Sequence, residues 1–217
     1  MKVDHLPCLR WIVIALATSF IIYDYFIQVA PSVITNQIMA DFSIDATRLG
    51  ILGGGFFFGY MLMQLPAGYL IDRYGARQCL SMAVLVSGSG VILFSLSHTL
   101  IIASFSRLLV GGGSAFAFLG GLHLASHWFS NQRFAMMAGI LQLGCGIGSI
   151  IGEAPLAKLV DSYGWRHSFI SIGFFTLFLS FIFYMIIRDN ALSVSSKKRV
   201  SSCWTIFKNK QVWCIAS

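Results

Sequence analysis

Gly68-Tyr69-Leu70-Ile71-Asp72-Arg73-Tyr74-Gly75-Ala76-Arg77-Gln78-Cys79-Leu80 is a short charged turn set between two long stretches without charge. No Asp, Glu, Lys or Arg occurs between Arg48 and Asp72, or from Gln78 to Ser106. A helix crosses the ~30 Å hydrocarbon core of a bilayer in about 20 apolar residues, so each stretch is long enough to span. Leu108 to Gln132, Phe134 to Gly152 and His167 to Ile187 are equally free of charge, and the run from Trp11 to Ile34 is interrupted only by Asp24. The Gln78 to Ser106 run is too long for one helix, and Ser97-His98-Thr99 breaks it. Six spans result, over 11–34, 48–70, 78–97, 100–128, 134–156 and 166–187.

The composition agrees. Of 217 residues, 57% are hydrophobic and 11% charged, with a mean hydropathy of +0.78; soluble domains carry about a quarter charged residues. Six spans leave only short connections, which excludes an accompanying soluble domain. The net charge of +7 does not indicate nucleic acid as a partner, because the basic residues are distributed between apolar runs. With the N-terminus cytoplasmic, Lys2, Arg10, Arg73, Arg77, Arg133, Arg188, Lys197, Lys198, Arg199, Lys208 and Lys210 lie inside. Only Arg48, Lys158 and Arg166 lie outside, as the positive-inside rule requires. Arg107 falls within the fourth span.

Five cysteines, Cys8, Cys79, Cys145, Cys203 and Cys214, lack CxxC or CxxH spacing, so no disulfide framework or metal site is indicated, and no cofactor. Lys2 and Arg10 before an apolar run resemble a signal peptide, but the run continues to Ile34 without a cleavage-type site and reads as a retained first helix. Residues 188–203 form a basic cytoplasmic connector, and 204–217 begin a seventh helix that stops far short of a span. Glycines recur inside the spans, with Gly144, Gly148 and Gly152 four residues apart and Pro155 following; small residues at that interval let membrane helices approach closely.

Asp72 is unexpected in a loop that needs only positive charge. It either caps a helix N-terminus or pairs with Arg77, forming a contact that a conformational change breaks. Here the sequence resembles the major facilitator superfamily, whose hallmark between helices 2 and 3 is G-x-L-x-D-R-x-G-x-R; Gly68, Leu70, Asp72, Arg73, Gly75 and Arg77 supply every defined position. Arg107-Leu108-Leu109-Val110-Gly111, the Trp128-Phe129 to Arg133 connection, and Gly164-Trp165-Arg166 with Phe169 agree too. The helix 5 glycines with Pro155 resemble a loosened antiporter motif in which Glu153-Ala154 stands where Gly-Pro is expected. Tyr23 to Val33, leading through Pro31-Ser32 into Asp41-Phe42, faintly resembles a branch related to lysosomal dipeptide transporters.

The resemblance implies the N-terminal half of a secondary transporter, its two six-helix halves rocking around a central site. It implies that Gly68, Asp72, Arg73, Gly75 and Arg77 act as a conformational gate. It also places helices 1 and 4 on the central cavity, so that Asp24 and Arg107, at matching depths by ~1.5 Å per residue, face one another. Intramembrane charges are expensive and mark function. Arg107 is read as the contact for an anionic group of the solute, and Asp24 as its counter-ion or a proton carrier. Tyr23, Tyr25, Gln28 and Gln142 are further cavity candidates. Glu153 is solvated or paired with Lys158, and His123 and His127 are interfacial.

The function expected is secondary active transport of a small anionic or zwitterionic solute, coupled to protons, by an integral protein of the plasma (inner) membrane. The alternatives are an uncoupled uniporter and a truncated transporter without activity. A scaffold or channel needs no motif, but the Asp72 turn argues for a conformational cycle. An intramembrane serine protease would need a base beside Ser149, and a retinal protein a lysine within a late span; neither is present. The partners implied are the solute, protons, lipid, and a C-terminal half or second copy supplying the opposite cavity wall.

Overall fold

In lipid no water competes for backbone N–H and C=O groups, so an uncharged run satisfies them internally as a helix. The computed structural model describes residues 7–187, with side chains from Leu9. Among the described residues it contains seven α-helices and no strand: α1 Pro7–Val33, α2 Thr35–Phe42, α3 Ala46–Tyr74, α4 Ala76–Leu96, α5 Leu100–Trp128, α6 Asn131–Tyr163 and α7 Trp165–Ile186. All except α2 are long and apolar enough to span a membrane. The connector and incipient seventh span expected after residue 187 lie outside the described residues.

The breaks between helices have local causes. Asp45 accepts a hydrogen bond from the Arg48 backbone N–H (3.0 Å) and starts α3; Thr99 does the same for Ile102 (3.4 Å) and starts α5, both as N-caps. Gly75 joins α3 to α4 with φ 88° and ψ 158°, a conformation open essentially only to glycine. Several boundaries differ from the sequence reading; the second span runs on to Tyr74, which puts Asp72 and Arg73 in its last turn. The fifth span, read as ending at residue 156, runs on through Lys158 and Asp161 to Tyr163, because charged residues end the lipid-compatible stretch without ending the helix. The first span stops at Val33, and the connection after it contains the unanticipated α2, anchored by the fully buried Ile34 and Ile38.

Helix α5 is the centre of the bundle, packed on α1, α3 and α4; α1 pairs with α6 and α4 with α7. In lipid such pairs are held by van der Waals packing rather than by the hydrophobic effect, so backbone approach decides them. A Cβ at Gly111 would overlap the Phe56 carbonyl, and one at Gly59 would overlap the Leu108 carbonyl, which interlocks α3 with α5. Between α1 and α6, a Cβ at Gly148 would overlap the Ile22 carbonyl, one at Gly152 would stand 2.9 Å from that of Phe26, and one at Gly144 would stand 3.1 Å from the Thr18 methyl. Pro155, grouped with these glycines from the sequence, is exposed.

Candidate functional site

Asp24 on α1 and Arg107 on α5 are both buried in the middle of the bundle, 5% and 4% exposed. They do not form the facing pair that the sequence suggested. Arg107 donates from Nη1 to the Ile27 carbonyl (3.4 Å), its guanidinium lies 5.0 Å from the centroid of the Phe56 ring, and its Nε has no hydrogen-bond partner. Asp24 Oδ1 is likewise unpartnered. Buried polar groups are nearly always satisfied, so unmet hydrogen-bonding capacity on both charges is the unusual feature of this region.

The cause lies in the helix faces. Ile27 follows Asp24 by about one turn, and Arg107 reaches α1 at the level of Ile27. Ser114, two turns beyond Arg107 on α5, is the hydroxyl beside the Asp24 carboxyl, and its Oγ makes no hydrogen bond of standard geometry. Tyr23 is buried and shares a hydrogen bond with Ser87 on α4 (3.2 Å). It lies within electrostatic reach of both Asp24 and Arg107. Tyr25, Tyr60 and Cys145 surround the Asp24 side.

The other candidates are more peripheral. Gln28 is half-buried and Gln142 lies on an exposed face of α6. Glu153 is exposed and forms no ion pair with Lys158. Reading the sequence missed Ser114, Ser87 and Tyr60; Ser114 alone had a signal, its spacing of two helical turns from Arg107.

At the end of the bundle formed by the α3–α4 turn, Asp72 neither caps α4, whose N-cap Gly75 has no side-chain bond, nor pairs with Arg77. Its Oδ1 lies 3.7 Å from His123 Nδ1 on α5, so His123 belongs to this turn rather than to the interface alone. Arg77 Nε donates to the Tyr184 carbonyl (2.8 Å) and its guanidinium sits 4.3 Å over the Tyr184 ring, tying the turn to α7. Arg73 is exposed and donates to the Tyr69 hydroxyl (2.9 Å). Gly68 faces open space.

The six-span bundle and its charged turn agree with one family. Residues 14–217 fit the profile of the Major Facilitator Superfamily. The chain belongs to the major facilitator superfamily. The YybO protein of Bacillus subtilis (strain 168), described as an uncharacterized transporter, is 29% identical over 175 residues, which cover 81% of this chain and 40% of the relative. The probable galactarate/D-glucarate transporter GudP of Escherichia coli (strain K12) is 28% identical over 189 residues, 82% of this chain and 41% of that protein.

The crystal structure of a bacterial homolog to the human lysosomal transporter Spinster, inward-facing and unoccupied, superposes with a TM-score of 0.76 at 18% identity, over 84% of this chain and 44% of that one. That likeness shows the fold. The chain spans about two-fifths of the length of these curated relatives. As a member of this family it is a multi-pass integral membrane protein with the architecture of one six-helix half, and its relatives are transporters rather than enzymes.

Proposed function

We propose that this facilitator-family chain is the N-terminal half of a secondary transporter for a small organic anion, working by alternating access in the plasma membrane with its N-terminus in the cytoplasm. The observation that carries the reading is Arg107: a guanidinium in mid-bundle with no carboxylate partner among the described residues. An isolated cation there is costly, and a solute carboxylate meeting it gains a charge-assisted hydrogen bond. Relatives named for galactarate/D-glucarate, hexuronate and sulfoacetate favour organic anions over the zwitterionic peptides that the helix 1 resemblance suggested.

Asp24 is the proton carrier in this account. Its unpartnered Oδ1, next to Ser114, is a carboxyl that can gain and lose a proton without breaking an ion pair. The Asp72 turn, with Gly68, Arg73, Gly75 and Arg77, is the gate, held in this conformation by His123 and Tyr184. A C-terminal half, or a second copy, covers α3 and α6, the two spans whose apolar surface is least buried here.

The test is uptake of D-glucarate into liposomes containing the complete reading frame that carries this chain, with internal pH recorded. Arg107→Gln is expected to abolish uptake while membrane insertion is retained. Asp24→Asn is expected to abolish the accompanying proton movement. Near-normal uptake by Arg107→Gln sinks the anion reading; uptake without proton movement in the parent leaves a uniporter.

A further inference from the structure

A cavity of about 180 Å³ lies under α2, at the end of the bundle opposite the Asp72 turn. Thr35 and Ile38 of α2 close one side of it, Pro31 and Ser32 at the end of α1 and Leu52 of α3 form walls, and Arg107 reaches into it from α5. Ligand sites of drug size occupy about 300–1,000 Å³. With α2 in place, this cavity suits an inorganic anion or one carboxylate head, not a six-carbon sugar acid. A larger solute approaching Arg107 past Thr35 and Ile38 meets α2.

Besides the buried Ile34 and Ile38, the polar attachment of α2 lies in its last turn. Asp41 Oδ2 accepts from Trp165 Nε1 (2.9 Å) and from Arg166 Nε (3.3 Å). Arg166 is itself fixed, donating from Nη1 to the Ser95 and Ser97 carbonyls (2.6 and 2.8 Å) and stacking on the Trp165 ring at 4.4 Å. Phe42 packs on Trp165 with ring centroids 6.5 Å apart. One acid and one aromatic ring therefore join α2 to the rigid start of α7. The helix is also bounded by breaks on both sides, Ile34 before it and Ser43, in the left-handed region at φ 50°, after it.

The geometry points to α2 as a lid over the route by which a small organic anion reaches Arg107, with Asp41 as its latch onto Trp165 and Arg166. This rests on Arg107 as the anion contact. The latch is a charge-assisted pair at a partly exposed site, strong enough to bias a short helix and weak enough to open. Leu52 lines the cavity beside Thr35 and Ile38 and is 2% exposed, so a lid that opens raises its accessibility.

The experiment places Leu52→Cys in a chain whose five native cysteines are replaced by alanine, and measures labelling by the membrane-impermeant, anionic sulfonatoethyl methanethiosulfonate. Adding Asp41→Asn is expected to raise the labelling rate about tenfold, because a neutral amide weakens both charge-assisted hydrogen bonds that Asp41 accepts. Asp41→Glu is expected to keep it slow. Labelling of Asn36→Cys, on the exposed side of α2, should stay within about twofold because lid opening does not change its exposure.

An equal rate at Leu52→Cys with and without Asp41→Asn overturns the lid. So does a parallel rise at Leu141→Cys, buried in α6, which would mean general loosening. Labelling does not depend on solute binding. Failure of the lid therefore leaves the anion reading standing, and normal uptake by Arg107→Gln removes that reading without touching the lid.

Discussion

Arg107 donates to the backbone carbonyl of Ile27 at 3.4 Å, one turn along α1 from Asp24, and forms no ion pair with the Asp24 carboxylate. Two buried charges expected at the same depth thus make no ion pair with one another. If they were paired, removing one partner would cost about 3–5 kcal/mol by stranding the other. Because they are not, Asp24→Asn and Arg107→Gln are expected to change stability independently. A double-mutant cycle of thermal unfolding in detergent should give a coupling below about 0.5 kcal/mol, the value typical of independent sites.

Packing at the α1–α6 seam yields a position-specific prediction. Gly148 meets the Ile22 carbonyl backbone to backbone, whereas Gly139 on the same helix faces open space. Gly148→Ala is expected to destabilise by about 1–3 kcal/mol, as overpacking of a close contact does. Gly139→Ala should be neutral or slightly stabilising, since alanine is the better helix former. Comparable melting shifts for the two variants would show that the seam is not backbone-limited.

The α3–α4 turn makes a second demand on glycine. At φ 88° and ψ 158°, Gly75 occupies backbone space that costs another residue of order 1–3 kcal/mol. Gly75→Ala is expected to lose that much stability, to displace Asp72 from His123, and to impair conformational cycling. Thermal unfolding and the reactivity of the His123 imidazole toward diethyl pyrocarbonate check the two parts separately.

Arg166 carries more bonds than any topological charge needs. Removing it leaves the Ser95 and Ser97 carbonyls without their donor and Asp41 with Trp165 Nε1 in place of an ion pair. Arg166→Ala is therefore expected to cost about 1.5–3 kcal/mol, the range for hydrogen bonds to charged groups. Arg166→Lys should recover only part of it, because a single ammonium does not reproduce the guanidinium fork. Melting temperatures in detergent decide between partial and full recovery.

The spans were legible because lipid imposes one requirement, an uncharged run of sufficient length, and Arg48, Asp72, Ser97-His98-Thr99 and Gly164 punctuate those runs. The identity of the fourth helix break was equally readable, since Thr99 is a capping residue. What escaped was rotation. Depth along a helix follows from rise per residue, but the azimuth that sends Arg107 to Ile27, and Asp72 to His123 instead of Arg77, depends on which glycines admit a neighbouring backbone.

Helix α2 was missed for a related reason. Of its eight residues only Ile38 is buried, with Ile34 one turn earlier at its N-cap, too short a pattern to read as a helix. Asp41 and Arg166, 125 residues apart, reveal no relationship until the bundle brings the ends of α2, α4 and α7 together. Ser114 and Tyr60 joined the Asp24 site in the same way, as ordinary span residues whose importance is set by the helix that faces them.

On the proposed function, Arg107 binds the solute's anionic group. Equilibrium binding of D-glucarate to the purified complete reading frame, by isothermal titration in detergent, tests it most directly. Arg107→Gln is expected to weaken binding by about 10- to 100-fold, as for losing one or two hydrogen bonds from a charged donor, with Arg107→Lys intermediate and the fold intact by circular dichroism. Affinities for parent and Arg107→Gln that agree within about twofold, less than a single neutral hydrogen bond, would contradict it.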